Sequence, residues 1–174
     1  LNAGAQLSSP VIFSNTAGVT LGDATTDLFE FGGGLTSTAS VTTVQGTIQT
    51  TNDPLVFGDL VLSENTTLTG SKITLGSITG VGNLMLNGEV TLNGQLDIVG
   101  TLTINGTLNL GNDAELSFNE TTLLASAIQG SFSLVKDGDG TLRLSNRAFA
   151  GQLTVVGGVV ELPNGLVGQV VLDS

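Results

Sequence analysis

Glycine returns at every sixth position through the middle of the chain, and this spacing limits the possible folds more than any other feature. Gly58 fits the spacing two steps before an unbroken series: Gly70, Gly76, Gly82, Gly88, Gly94, Gly100 and Gly106. Most rows carry two aliphatic residues two positions apart, in the pairs Leu84/Leu86, Val90/Leu92, Leu96/Ile98, Leu102/Ile104 and Leu108/Leu110. Because successive side chains of a strand point to opposite faces, each row predicts a very short strand followed by a turn. A unit this short cannot bury its apolar face alone, so the rows must stack on one another.

The Asn-Gly pairs between rows offer antiparallel hairpins as an alternative, and side-chain parity argues against it. Asn-Gly between alternating strands normally indicates a two-residue hairpin loop. With such a loop at Asn87-Gly88, Leu86 would pair with Glu89, so no single sheet face could collect the aliphatic residues. A three-residue loop restores the parity but leaves strands of only about three residues, which is short even for a meander.

In a solenoid the same Asn-Gly pairs turn the corners of a coil. Every even-numbered aliphatic residue from 84 to 110 then points into one core, and Gly and Asn suit the corners because they tolerate positive φ. The sequence therefore predicts an all-β, single-stranded parallel β-helix (a β-solenoid). We expect residues 1–174 to form one such domain, with 58–111 as its most regular part.

Composition agrees with an exposed β surface. Charged residues make up 11% of the 174-residue chain and hydrophobic residues 40%, whereas a globular domain usually has about 25% charged residues. The polarity comes from Thr, Ser, Asn and Gly, which argues against α and α/β folds. The net charge of −11, with only four Lys and Arg residues, argues against nucleic acid and anionic membranes as partners.

The chain lacks cysteine, so an exported form would depend on stacking rather than disulfides for its stability. No apolar run approaches the roughly 18 residues of a transmembrane helix, so membrane insertion by this segment is not expected. The chain opens at Leu1 without Met or a signal-like segment. We expect it to be a piece of a longer surface protein.

Two segments before the regular rows carry separate expectations. Phe29 and Phe31 alternate with Glu30, as in a half-buried strand. Residues 35–51 are rich in Thr and Ser with β-branched neighbours, and they predict an exposed strand pair. Arrays of threonine can also bind ice or glycans, but the threonines here form no regular column at coil spacing.

Two further segments depart from the glycine spacing. The aliphatic positions shift by one between Leu62 and Ile73, which predicts a bulge or coil corner near Gly70. Residues 112–133 lose the six-residue glycine and predict a looser segment. Within it, residues 121–129 form the one plausible helical turn.

Residues 134–162 contain a recognisable order of elements: Lys136, a turn at Gly138, Gly140-Thr141-Leu142-Arg143-Leu144-Ser145, Phe149, Gly151, and alternating strands at 153–155 and 159–162. This order resembles the passenger-associated repeat of bacterial autotransporters, over about one sixth of the chain. Residues 146–149 depart from the Gly/Asn/Thr/Tyr-type loop usual in the family. The remaining chain resembles β-strand-repeat surface adhesins in composition only. The resemblance implies a right-handed parallel β-helix exported through the Gram-negative outer membrane.

The sequence offers little for catalysis. It has no His, Cys, Tyr or Trp, which removes the usual general bases, thiolate nucleophiles and most zinc ligands. Two carboxylates at about 5–10 Å could perform glycosidase chemistry, and pectin-type enzymes do use parallel β-helices. However, Asp97 is the only Asp within the clearest rows, residues 82–111. We therefore predict no enzyme activity and no catalytic, cofactor-binding or metal-binding residue.

A possible calcium loop at Asp137-Gly138-Asp139 is the closest match to a metal motif. A full EF-hand loop needs a Glu at its twelfth position, and counting from Asp137 that position is Ala148. A turn that leads into the strand at 141–145 is the favoured interpretation.

These observations predict a structural stalk or adhesin segment of an exported bacterial surface protein, located at the cell surface or outside the cell. Its expected partners are neighbouring solenoid coils or copies of itself, with a host-surface or glycan receptor as a possible ligand. Two alternatives stay open. The first is a subunit of an extracellular fibre assembled end to end by β-augmentation. The second is a carbohydrate-active β-helix enzyme.

Overall fold

The computed structural model describes residues 1–118, 122–124, 128–130, 132–144, 151–161 and 169–172. Within these residues the regular structure consists of β-strands that pair in parallel, each with the strand one coil later. The predicted all-β parallel solenoid is therefore confirmed. The right-handedness implied by the family resemblance stays a prediction.

The strands in chain order are β1 (Ala5–Leu7), β2 (Val11–Phe13), β3 (Val19–Leu21), β4 (Leu28–Phe31), β5 (Leu35–Ser37), β6 (Thr42–Gln49), β7 (Leu55–Phe57), β8 (Leu60–Leu75), β9 (Ile78–Val81), β10 (Leu84–Leu92), β11 (Leu96–Val99), β12 (Leu102–Asn105), β13 (Leu108–Leu110), β14 (Ala114–Phe118), β15 (Thr122–Leu124), β16 (Ile128–Gln129), β17 (Leu134–Asp137), β18 (Thr141–Leu144), β19 (Gln152–Val155), β20 (Val159–Glu161) and β21 (Gln169–Leu172).

The pairings sort these strands into three stacks, so each coil has three sides. Face A contains β1, β4, the end of β6, the middle of β8, the start of β10, β12, β15, β18 and β20. Face B contains β2, β5, β7, the end of β8, the end of β10, β13 and β16. Face C contains β3, the start of β6, the start of β8, β9, β11, β14, β17, β19 and β21.

Three six-residue rows make one complete coil in the regular region. Leu84 lies beside Leu102, eighteen residues later, and Val90 lies beside Leu108 at the same offset. The coil is longer elsewhere: Ile104 pairs with Leu124 twenty residues on, and the offset from β1 to β4 is twenty-four residues. The added residues fall between strands, where they leave the ladder intact.

One continuous core runs through the coils. The even-numbered aliphatic residues of the regular rows all point inward and are at most 4% exposed: Leu84, Leu86, Val90, Leu92, Leu96, Ile98, Leu102, Ile104, Leu108 and Leu110. This confirms the parity prediction. Towards the N-terminus the same interior is filled by Phe29, Phe31 and Phe57, so the predicted half-buried alternation around Glu30 is also confirmed.

The corners use glycine as predicted, but they use asparagine differently. Gly82, Gly88 and Gly100 have φ of 98°, 151° and 151°, whereas no non-glycine residue in the described part of the chain has positive φ. The expectation of positive φ at Asn is therefore wrong. Asparagine instead hydrogen-bonds between coils: the Asn83 backbone N–H donates to Asn65 Oδ1 (2.8 Å), and Asn83 Oδ1 accepts from the Thr101 N–H (2.9 Å).

The predicted exposed strand pair at residues 35–51 is wrong in both respects. β5 and β6 lie on different faces of the coil and pair with the coils above and below rather than with each other. Ser37 and Thr42 are buried, and their hydroxyl oxygens are 2.6 Å apart in a hydrogen bond. Because the two hydroxyl groups hydrogen-bond to each other, both residues can be buried without an unpaired polar group. Composition alone does not predict such a pair.

The predictions for the two segments that depart from the glycine spacing differ in their agreement with the structure. The predicted bulge near Gly70 is confirmed, because the register between β8 and β10 shifts opposite Asn87 and Glu89. The helical turn at residues 121–129 is wrong where it is described, since 122–124 and 128–129 are strands. Residues 121 and 125–127 lie outside the described residues. The segment's described strands pair at an offset of twenty residues instead of eighteen.

Candidate functional site

Face A carries an unbroken series of polar side chains along the axis of the solenoid. Each occupies the same outward position on successive coils, and each lies beside the next in register: Gln6, Glu30, Gln49, Thr69, Asn87 and Asn105. We call this series the polar column. Parallel strands lie about 4.8 Å apart, so side chains one coil apart are within hydrogen-bonding reach.

Hydrogen bonds join most of the polar column into two ladders. At one end Gln6 Nε2 donates to Glu30 Oε2 (2.8 Å) and Gln49 Nε2 donates to Glu30 Oε1 (2.6 Å). Farther along, Asn87 Nδ2 donates to Thr69 Oγ1 (3.0 Å), and Asn105 Nδ2 donates to Asn87 Oδ1 (2.8 Å). Both oxygens of Glu30 thus receive an amide proton, and hydrogen bonds to a charged group are stronger than neutral ones.

A groove of about 470 Å³ lies at the Gln6–Glu30–Gln49 end of the polar column. These three side chains line it together with Leu7 and residues 50–51. Phe31 lies beneath the groove, and its side chain is buried in the core. The groove is open to solvent on its outer side, and its charged lining residue is Glu30.

The groove exists because the corner that follows face A changes length from coil to coil. The first two coils turn from face A to face B through residues 8–10 and 32–34, whereas the third uses residues 50–54. Gly33 allows the two shorter corners to touch, since a Cβ there would lie 2.4 Å from the backbone nitrogen of Pro10. The longer corner is closed by the Thr50 hydroxyl, which donates to the Asp53 carbonyl (2.5 Å).

A second polar cluster surrounds Lys136, which lies near the end of β17. Lys136 takes an inward position between Leu116 and Val155 and is buried. Its ammonium donates to the backbone carbonyls of Asp137, Gly138 (2.7 Å) and Gly157 (3.3 Å). Burial lowers the pKa of Lys136, opposed by the negative charges of Asp137 and Asp139.

This cluster gives the Asp137–Asp139 segment a structural account. The segment is a turn that leads into β18 (Thr141–Leu144), as the favoured interpretation predicted. Carbonyl oxygens that could face a cation face the Lys136 ammonium. Among the described residues, no group of three or more His, Cys, Asp or Glu side chains is placed to hold a metal ion.

Asp97 and the ion pair between Arg143 and Glu161 lie on different faces of the coil. Asp97 is exposed on face C, and the residues beside it in register are Thr79 and Ser117. Arg143 forms an ion pair with Glu161 across face A, with Nε and Oε2 2.7 Å apart and both side chains about half exposed. Such exposed pairs contribute at most about 1 kcal/mol to stability.

Sequence reasoning missed the polar column. Its signal was partly available, because Thr69, Asn87 and Asn105 recur at the eighteen-residue offset of three rows. Gln6, Glu30 and Gln49 are separated by twenty-four and nineteen residues. No fixed period connects those three, and only the folded register brings them together.

Comparison with known proteins returns no match, whether with family models, with curated proteins or with solved structures. In the described part of the chain there is no helix with the length and hydropathy of a membrane span. The solenoid, the polar column and the groove are therefore the features that bear on function.

Proposed function

We propose that the chain is a structural stalk or adhesin segment of an exported bacterial surface protein. The observation that carries the proposal is the single core, which continues from Leu21 to Leu153 through successive parallel coils. An uninterrupted core of this kind favours a stiff rod, because each coil packs mainly on its two neighbours.

The surface also suits a role outside the cell. The net charge of −11 keeps such a rod soluble. Its outward rows include Thr and Asn residues, whose side chains hydrogen-bond along the axis. The export route rests on the resemblance of residues 134–162 to autotransporter passengers, of which residues 134–144 and 151–161 are described.

Display on a Gram-negative cell tests the proposal directly. The chain is fused between a signal peptide and an autotransporter β-barrel, and intact cells are labelled with an antibody against the chain. We expect surface labelling, together with stronger attachment of the cells to host-cell layers or abiotic surfaces. Absence of label, while a known passenger in the same fusion is displayed, would contradict the proposal.

The purified chain distinguishes the alternatives. Light scattering over a rising concentration series should give a constant particle size for a stalk. Growth into long particles would favour the fibre subunit, whose assembly would add strands at the ends of the stack. Turnover of polysaccharides would favour the β-helix enzyme.

A further inference from the structure

We propose that the groove beside Gln6, Glu30 and Gln49 binds a neutral, hydroxyl-rich carbohydrate of one or two sugar units. This inference deepens the proposed adhesin function and rests on it. The groove volume of about 470 Å³ lies within the range of about 300–1,000 Å³ that small-molecule sites occupy.

The polar groups of the groove match the chemistry of sugar hydroxyls. Each Glu30 oxygen accepts one amide proton from a neighbouring glutamine, which leaves lone pairs on both oxygens. Because Nε2 of Gln6 and of Gln49 point at Glu30, their Oε1 atoms and second N–H groups are left for other partners. The groove therefore offers acceptors and donors side by side, and a hydroxyl group can serve both.

The same hydrogen bonds hold the site in place before any ligand arrives. Glu30 is half-buried and fixed from the coil above and the coil below. The wall is fixed as well, since the Thr50 N–H donates to the Thr69 carbonyl (2.9 Å) and the Thr50 hydroxyl to the Asp53 carbonyl. Groups ordered in advance lose less conformational entropy on binding. Leu7, 40% exposed at the edge of the groove, provides an apolar contact for the C–H face of a sugar ring.

Charge selects among carbohydrates. The charged group of the groove is a carboxylate, and the chain carries a net charge of −11. Uronates, sialylated glycans and sulfated glycans would be repelled. Neutral hexose and N-acetylhexosamine oligosaccharides meet the hydrogen-bonding groups without that repulsion.

The first experiment screens the purified full chain against an array of neutral, anionic and amine-bearing oligosaccharides, followed by calorimetry with the best neutral ligand. We expect binding to neutral glycans and none to uronates. Nuclear magnetic resonance titration with that ligand should shift the amide signals of residues 30–32 and 49–51. Absence of neutral-glycan binding at millimolar ligand, or binding confined to amine-bearing polymers, would overturn the proposal.

Two variants and a matched control locate the site. Glu30→Ala and Gln49→Ala should each weaken binding by roughly tenfold or more, because a buried polar contact loses its partner. Asn105→Ala removes an amide from the same polar column outside the groove lining and should leave binding unchanged. Equal effects of Asn105→Ala and Gln49→Ala would overturn the assignment. If Glu30→Ala fails to fold, the nuclear magnetic resonance titration of the wild-type chain still shows whether the ligand binds at the groove.

The outcome separates this inference from the proposed function. Cells that display the chain and adhere, while the groove binds no neutral glycan, would overturn the groove assignment and leave the adhesin proposal standing. Glycan binding by a chain that never reaches the cell surface would overturn the adhesin proposal and leave the groove assignment standing.

Discussion

Individual glycines determine how closely two coils approach at their corners. A Cβ on Gly88 would lie 2.1 Å from the Gly70 carbonyl oxygen, and Gly88 also has a φ of 151°. At Gly58 the nearest atom to an added Cβ is 3.4 Å away, which is an ordinary contact, and φ is not positive. The six-residue glycine spacing therefore contains positions of very different tolerance.

Gly88→Ala should destabilise the chain by about 2 kcal/mol or more, since the added methyl group collides with backbone that has little room to move. Gly58→Ala, the matched control, should change the free energy of unfolding by less than about 1 kcal/mol. Denaturant unfolding followed by circular dichroism measures both. Equal stability of the two variants would show that the corner at Gly88 relaxes easily.

Lys136 is the one charged side chain buried among the described residues, and it lies in register between Leu116 and Val155. Its lowered pKa has a definite consequence for stability. The unfolded chain binds the proton more tightly than the folded chain in the window just below the ordinary value of 10.5. Stability from this group therefore rises with pH through that window and falls as the pH is lowered.

This pH dependence can be measured cleanly because the chain contains no Tyr, Cys or His. We expect the free energy of unfolding to include an alkaline rise that disappears in Lys136→Met. Lys72→Met, which removes the other lysine, should retain the rise. Unfolding in urea at closely spaced pH values from about 8 to 10.5 provides the comparison. An identical alkaline slope in wild type and Lys136→Met would contradict the assignment to Lys136.

Within a strand, alternate residues differ sharply in what a substitution costs. In β12, Leu102 is 1% exposed in the core, whereas its neighbour Thr103 points outward on face A. Leu102→Asp places a charge in an aliphatic stack and should cost about 3 kcal/mol or more, or prevent folding.

Thr103→Asp is the matched control and should stay within about 1 kcal/mol of wild type. Thermal unfolding of both variants gives the comparison. A Leu102→Asp variant that melts like the wild type would mean that the stack tolerates a charge at this position.

The inward residues of the regular strands could be predicted from sequence, whereas those of the irregular strands could not. From Leu84 to Leu110 a single parity rule places every even-numbered aliphatic residue in the core, because the six-residue period repeats. Residues 35–51 also place alternate side chains inward, but hydroxyl residues and glycine share these positions with aliphatic residues. Their buried Ser37 and Thr42 look like surface residues until the hydroxyls are seen to pair.

The groove was beyond prediction for a related reason. Gln6, Glu30 and Gln49 become neighbours only through coils of unequal length. The corners between these strands differ in length while the register is kept, so nothing in composition or period signals that the three side chains meet.

At the scale of the whole molecule, acid–base catalysis would depend on carboxylates, because the sequence has no His, Cys or Tyr. We expect no turnover of pectate, alginate or similar polymers by the purified chain, with or without calcium. Reducing-end and unsaturated-product assays check hydrolase and lyase activity respectively. Reproducible cleavage that one Asp→Ala substitution abolishes would contradict the structural proposal and favour the enzyme.

The eighteen-residue offset between neighbouring strands in the regular region also determines how the molecule responds to a pull along its chain. A terminal coil is held chiefly by the coil next to it, so tension peels turns away one at a time instead of breaking the whole stack at once. Each released turn lengthens the tether by roughly 60 Å, the span of eighteen extended residues. Under shear, such a chain would extend in uniform steps and so limit the force on its attachment, while the remaining coils stay folded.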